Sequence, residues 1–162
     1  MHRKDYEAAR EVAFRYLGYS ARSVVEMRRR LERSDFPEDI IARVLEEIAA
    51  LGYLNDQEFT ERWIEDRADR KGYGRTRLAA ELSRKGIDRE QIQEAVSSIS
   101  EEAEFERALL AAERKQPAER LAALDCTARQ EAERRLGAFL QRRGFSYEIV
   151  RQVLRRRLEN IG

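Results

Sequence analysis

The chain has 162 residues, of which 39% are charged and only two are proline, with a formal net charge of +1. That composition leaves little room for strands and argues against a general cationic coat for nucleic acid. No apolar run approaches the ~20 residues needed to span a bilayer, His2, Arg3, Lys4 and Asp5 begin no apolar signal segment, and the single Cys126 excludes an internal disulfide framework. The expectation is a cytoplasmic, all-α protein.

Taken in chain order, the pattern is a first helix over roughly 6–17, with Tyr16 and Leu17 among its apolar positions, followed by two helices that meet at a tight turn. The same trio returns twice, with leading helices over roughly 56–70 (Phe59, Trp63) and 102–114 (Phe105, Leu109). Each following pair carries one skeleton: a leucine, four residues, a large apolar residue, then two apolar positions eight and nine further on. It reads Leu31, Phe36, Val44 and Leu45; Leu82, Ile87, Ala95 and Val96; Leu140, Phe145, Val153 and Leu154. Met27, Leu78 and Leu136 extend it backwards by one helical turn. Copies 51 and 58 residues apart are the signature of tandem supersecondary units.

The spacing has a cause at the helix junction. Five residues after Phe36, Ile87 and Phe145 stand Ile41, Ile92 and Val150, the separation of the two partners in a hydrophobic staple. Between them lie start signals: Asp88 with Gln91, Ser146, and Pro37, whose missing N–H costs least at a helix start. Gly86 and Gly144 suit the left-handed residue that ends the preceding helix. Stripes such as Ile40, Ile41, Val44, Leu45 and Ile48, or Ile92, Ala95, Val96 and Ile99, give each helix one apolar face for a core. The fold class expected is an elongated all-α array of three tandem three-helix repeats, with boundaries at 1–52, 53–100 and 101–162.

Charge alternates along the chain. Residues 1–34 hold nine basic and five acidic side chains, 35–66 two and ten, 67–89 eight and three, 90–113 one and seven, and 114–162 twelve and six. One charge recurs in register, two residues after each repeat leucine: Arg33, Arg84 and Arg142, joined in two copies by Lys85 and Arg143. Cations in a last helical turn complement its dipole by about 0.3–1 kcal/mol. The same residues also suit a large, repetitive, charged partner. With Arg151 and Arg155 on the last helix, they form the candidate partner-binding set. Arginine outnumbers lysine 28 to 4, which favours planar bidentate contacts to carboxylate or phosphate.

Catalytic chemistry has little to stand on. His2 is the only histidine, so no His-based acid, base or metal cluster can form, and Cys126 has no histidine to activate it. Lys71, Gly72, Tyr73, Gly74 and Arg75 lack the spacing and the strand of a phosphate-binding loop and read as a turn between helices. Glu58, Glu61 and Glu65 share one helical face, as Glu102 and Glu106 do, a pattern typical of a solvated surface. No enzyme activity, metal or cofactor is expected.

The most specific short motif joins the first two repeats: Gly52, Tyr53, Leu54, Asn55, Asp56 and Phe59, combining a helix stop at Gly52, a cap at Asn55 with Glu58 at its third position, and a Leu54–Phe59 staple. With Arg62, Trp63 and Arg67 it resembles the glycine, tyrosine, leucine, aspartate, aspartate, phenylalanine motif of the RecX family of recombination regulators. Gly74, Leu78, Glu81, Leu82, Lys85, Gly86 and Ile87 are similar to that family's second-repeat signature. The first repeat agrees through Glu26, Met27, Leu31, Phe36, Ile40 and Val44, and the third through Arg143, Gly144, Phe145, Ile149 and Val153. The likeness spans roughly residues 8–157. Asn55 replaces the first of the paired aspartates, and 115–130 match loosely.

The resemblance implies a cytoplasmic, non-enzymatic protein, expected as a monomer, that binds the RecA recombinase. Such a protein lies in the groove of the RecA filament on DNA and restrains strand exchange, ATPase and coprotease activity, with direct weak DNA contact as an additional expectation. A curved array of small units suits such a groove, because many weak contacts add through effective concentration. The rival readings are a helical DNA-binding module without a RecA-specific role, since each helix–turn–helix pair superficially matches a DNA reader, and a general helical adaptor.

Overall fold

In the computed structural model, which describes residues 5–160, ten α-helices follow one another and no strand occurs among the described residues. They are α1 (Tyr6–Leu17), α2 (Val24–Glu32), α3 (Glu38–Ala50), α4 (Asp56–Glu65), α5 (Arg75–Arg84), α6 (Arg89–Ser97), α7 (Glu101–Lys115), α8 (Ala118–Ala122), α9 (Cys126–Arg142) and α10 (Tyr147–Glu159). A single π-helical turn, Asp66–Arg70, prolongs α4, so the helix expected over 56–70 exists but widens in its last five residues. The short α8 and the first turns of α9, before Leu136, fall where the sequence carries no repeat signal. His2 lies outside the described residues.

Caps account for where the helices begin. Asn55 Oδ1 accepts the backbone N–H groups of Gln57 and Glu58, both at 3.1 Å, Asp88 accepts that of Glu90 at 2.9 Å and Ser146 that of Ile149 at 3.2 Å. All three were legible as start signals. Pro37 precedes α3 with extended backbone and no side-chain cap. Four further caps carry no repeat signature: Asp5 accepts the Ala8 N–H at the start of α1, Ser23 forms a reciprocal capping box with Glu26, Ser100 caps α7 and Asp125 caps α9.

The skeleton itself is a helix-ending motif made three times. The N–H of Phe36, Ile87 and Phe145 reaches back to the carbonyl of Leu31, Leu82 and Leu140, at 3.4, 3.2 and 3.2 Å. One residue earlier, Asp35, Gly86 and Gly144 donate to Glu32, Ser83 and Gln141 at 2.8, 2.9 and 2.9 Å. This is the Schellman pattern, and it requires a left-handed residue between its two bonds. Asp35 (φ 57°), Gly86 (φ 79°) and Gly144 (φ 89°) supply it. The fixed interval between the leucine and the next apolar side chain follows, because the motif brings these two positions together at the helix end. Gly52 (φ 81°) ends α3 in the same way, with Tyr53 donating to Ile48 at 3.0 Å.

The helices gather into two compact units. Among the described residues the first comprises 5–62 and 82–92, the second 63–81 and 93–160. Residues 53–100 therefore contribute to both, a distribution that repeat spacing does not reveal. In the first unit α1, α2 and α3 pack mutually around Ala9, Ala13, Met27, Leu31, Ile41, Val44 and Ile48, all at most 1% exposed. In the second, α7, α9 and α10 enclose Ala108, Ala112, Leu136, Leu140, Phe145, Val150 and Val153. Alanines on α1 and α7 let neighbouring backbones approach, and each fully buried Leu, Ile, Val or Met contributes roughly 1.5–3 kcal/mol. Leu78, Leu82 and Ile87 are also buried.

Within each unit, one turn of this kind receives the start of another helix. In the first, Ser23 Oγ donates to the Lys85 carbonyl at 2.5 Å, and a Cβ on Gly86 would collide with Val25. In the second, the N–H of Gly74 donates to the Arg143 carbonyl at 2.8 Å and that of Thr76 to the Gly144 carbonyl at 3.1 Å. A Cβ on Gly144 would there strike the backbone of Arg77, and one on Gly74 would strike Gly144. Gly52 has nothing within 4 Å of such an atom.

Gly52→Ala should accordingly cost only the left-handed backbone penalty of about 1–2 kcal/mol. Gly86→Ala and Gly144→Ala add a steric clash and should each cost about 3 kcal/mol or more. Urea unfolding of the three variants checks the order, and equal losses at all three would contradict the docking.

Candidate interaction surface

The seven basic residues singled out by the sequence divide into three groups. Arg33, Arg84 and Arg142 each occupy the last turn before a left-handed residue, and all are exposed. Among the described residues none of their side chains makes an ion pair or a hydrogen bond. Arg151 and Arg155 are exposed as well, paired within α10 to Glu148 at 3.2 Å and Glu159 at 3.0 Å, contacts of the kind that contribute a few tenths of a kcal/mol. Lys85 and Arg143 are built into the structure. Lys85 Nζ lies 2.6 Å from Glu26 Oε1, whose side chain is only 14% exposed. The Arg143 guanidinium donates to the Lys71 carbonyl and sits 5.0 Å from the Phe139 ring and 5.5 Å from the Tyr73 ring.

Other signature residues are joints too. Asp56 Oδ1 accepts the Val24 N–H at 2.9 Å, tying the start of α4 to that of α2. Glu26 closes the α2 capping box and holds Lys85 at once. Trp63 donates its indole N–H to Glu81 at 3.2 Å, Arg67 stacks over the Trp63 ring at 4.4 Å, and Arg77 reaches Glu81 at 3.2 Å. Three arginine and carboxylate contacts carried no sequence signal, because their partners lie far apart along the chain. Arg75 meets the buried Glu104, whose Oε1 accepts the Arg75 N–H at 2.9 Å. Buried Arg157 donates to Glu113 and to the Gln116 carbonyl. Arg10 and Tyr6 both donate to Glu47.

Hydrogen bonds from Arg157 and from the Ala118 N–H hold the Glu113 carboxyl below the ordinary glutamate range, and those from Tyr6 and Arg10 do the same for Glu47. A carboxylate lowered on folding contributes stability that is fully present above its unfolded value and is lost as pH falls through the lowered one.

The second unit also holds a concave, strongly basic surface that no motif announced. The turn Asp69–Tyr73, the α7 residues Arg107, Leu110, Arg114 and Lys115, and Phe139 and Arg143 of α9 enclose about 490 Å³. Two charge blocks and one isolated arginine, Arg107 in the acidic block 90–113, meet here. Only packing brings them together.

Among the described residues no group of three or more His, Cys, Asp and Glu could hold a metal ion, and no helix is long and apolar enough to cross a membrane. Cys126 is exposed at the start of α9.

The architecture defines an all-helical protein of tandem three-helix domains. Residues 9–47, 55–96 and 101–154 match, respectively, the first, second and third three-helix domains of RecX, and the chain belongs to the RecX family. It is 34% identical to the regulatory protein RecX of Amycolatopsis mediterranei over 97% of this chain and 87% of that one, and 34% identical to the regulatory protein RecX of Mycolicibacterium smegmatis over 95% and 81%. The crystal structure of RecX from Lactobacillus salivarius superposes with a TM-score of 0.79 at 22% identity, covering 93% of this chain and 95% of that one. A second RecX crystal structure gives 0.72 at 19% identity, covering 91% and 70%.

Stability separates the two roles of the basic residues. Arg33→Ala and Arg84→Ala should lose only the dipole complementarity, about 0.3–1 kcal/mol each, whereas Lys85→Ala, which removes the cation from the largely buried Glu26 carboxylate, should cost about 1–3 kcal/mol. Chemical denaturation checks this, and a silent Lys85 variant would contradict the assigned joint.

Proposed function

We propose that this protein is a non-enzymatic regulator that binds RecA and its nucleoprotein filament and inhibits recombinase, ATPase and coprotease activity, acting in the cytoplasm as a monomer. The observation that carries this reading is the match of all three RecX domains in order along the chain. Three repeats, taken at 1–52, 53–100 and 101–162, each present the same side chain at the same place: Arg33, Arg84 and Arg142 end the middle helix of each copy, exposed and unpaired among the described residues. A regular filament offers equivalent groups at regular intervals, so three modest contacts add through effective concentration. Lys85 and Arg143 are engaged in the packing joints described above, while Arg151 and Arg155 can join the contact set by exchanging their exposed carboxylate partners.

The triple reversal of Arg33, Arg84 and Arg142 to Glu tests the reading. Loss of dipole complementarity alone should cost about 0.3–1 kcal/mol per site. Affinity for RecA assembled on single-stranded DNA should fall more than tenfold, with weaker inhibition of filament ATP hydrolysis and a smaller salt dependence than wild type. Unchanged binding by a folded triple variant would reject these arginines as the contact. Failure of the wild-type protein to bind the filament would reject the function itself.

A further inference from the structure

The basic cleft of the second unit is not used by the proposed filament contact, which rests on the ends of the middle helices. Six cationic side chains line it, Arg70, Lys71, Arg107, Arg114, Lys115 and Arg143, against one carboxylate, Asp69. Two of these cations are held in place. Arg143 lies against the Tyr73 and Phe139 rings and is hydrogen-bonded to the Lys71 carbonyl. A guanidinium stacked on a ring keeps its N–H edges available for an oxyanion. Arg107 is only 15% exposed and 3.5 Å from Asp69, and its Nη1 is buried without a hydrogen-bond partner. Lys115 lies 5.5 Å from the Phe139 ring, while Arg70 shares Asp66 at 3.5 Å.

Such a concentration of like charge is self-repulsive, and the single internal carboxylate does not neutralise it. A volume of about 490 Å³ lies in the range of small-molecule sites, which combine an apolar wall with a few fixed polar groups. Tyr73, Phe139 and the half-exposed Leu110 form the wall here.

We propose that this cleft is a binding site for consecutive phosphate groups, with Arg107 and Arg143 as fixed contacts and Arg114 and Lys115 as mobile ones. Phosphate is favoured over isolated carboxylates because several cations converge on one small volume, and a run of phosphates brings a matching charge density together with bidentate acceptors for Arg. The run can come from a free polyphosphorylated nucleotide or from the backbone of a single nucleic-acid strand. Both share that chemistry, and the ring wall can receive a base from either.

The test uses the full chain without RecA, so it is independent of filament binding. Inorganic tripolyphosphate, ATP and a fluorescent 12-nucleotide oligothymidine are titrated at low salt, with polyglutamate as the acidic control. The variant is Arg114→Glu with Lys115→Glu, two exposed α7 positions, and Arg29→Glu with Arg89→Glu, exposed positions of the first unit outside the proposed filament contact, serves as the comparison. Melting curves confirm that both remain folded. The expected result is saturable binding of tripolyphosphate and of at least one nucleotide ligand, at least tenfold weaker in the α7 variant and unchanged in the comparison variant. If ATP competes as well as the oligonucleotide, the source is a free nucleotide; if only the oligonucleotide binds tightly, with a salt slope reduced in the variant, the source is a strand. No phosphate binding, binding equal in the α7 variant, or polyglutamate binding as tightly as tripolyphosphate would overturn the proposal.

Discussion

A backbone residue forced into the left-handed region ends the middle helix of each repeat, and most of the architecture depends on that turn. It reverses the chain within a few residues, so the apolar side chain after it falls beside the leucine before it. In the second and third repeats it also exposes backbone carbonyls to the side. The carbonyl of Lys85 receives Ser23 in one unit, and those of Arg143 and Gly144 receive Gly74 and Thr76 in the other. Glycine at 86 and 144 thus serves a conformational and a steric need together. At Asp35 only the conformational need exists, and a non-glycine residue suffices.

Electrostatics follow from this frame. With charged residues at 39% of the chain, many arginines must be accommodated inside the fold as well as on it. Those that anchor turns and helix ends, Arg75, Arg143 and Arg157, are at least partly buried and donate to backbone carbonyls. A guanidinium can satisfy a carbonyl and a carboxylate in one plane, which a lysine cannot. Arginines at the last helical turn need no such partner, because the helix end itself supplies partial negative charge. These positions stay exposed and therefore available to another macromolecule.

Much of the helical plan was legible, since periodicity, caps and staples are local. The leading helices, the starts at Asn55, Asp88 and Ser146, and the left-handed glycines all depend on residues within one or two turns of each other. The division of residues 53–100 between two units was not legible, because it depends on which faces pack. Neither was the separation of Lys85 and Arg143 from their neighbours Arg84 and Arg142. Adjacent basic residues look alike in sequence, and only the distant positions of Glu26 and Lys71 distinguish them. The basic cleft was hidden for the same reason: its cations come from three separate stretches, one of them acidic overall.

Amide hydrogen exchange tests the central claim most directly, at Gly74 and Thr76, which precede or open α5 and would otherwise face solvent as unbonded helix-start amides. If the turn at Arg143 and Gly144 accepts them, both should be protected to a degree approaching the core amides of α9 and α10. Exchange as fast as in an open loop, in a protein whose core amides remain protected, would contradict the docking on which the account rests.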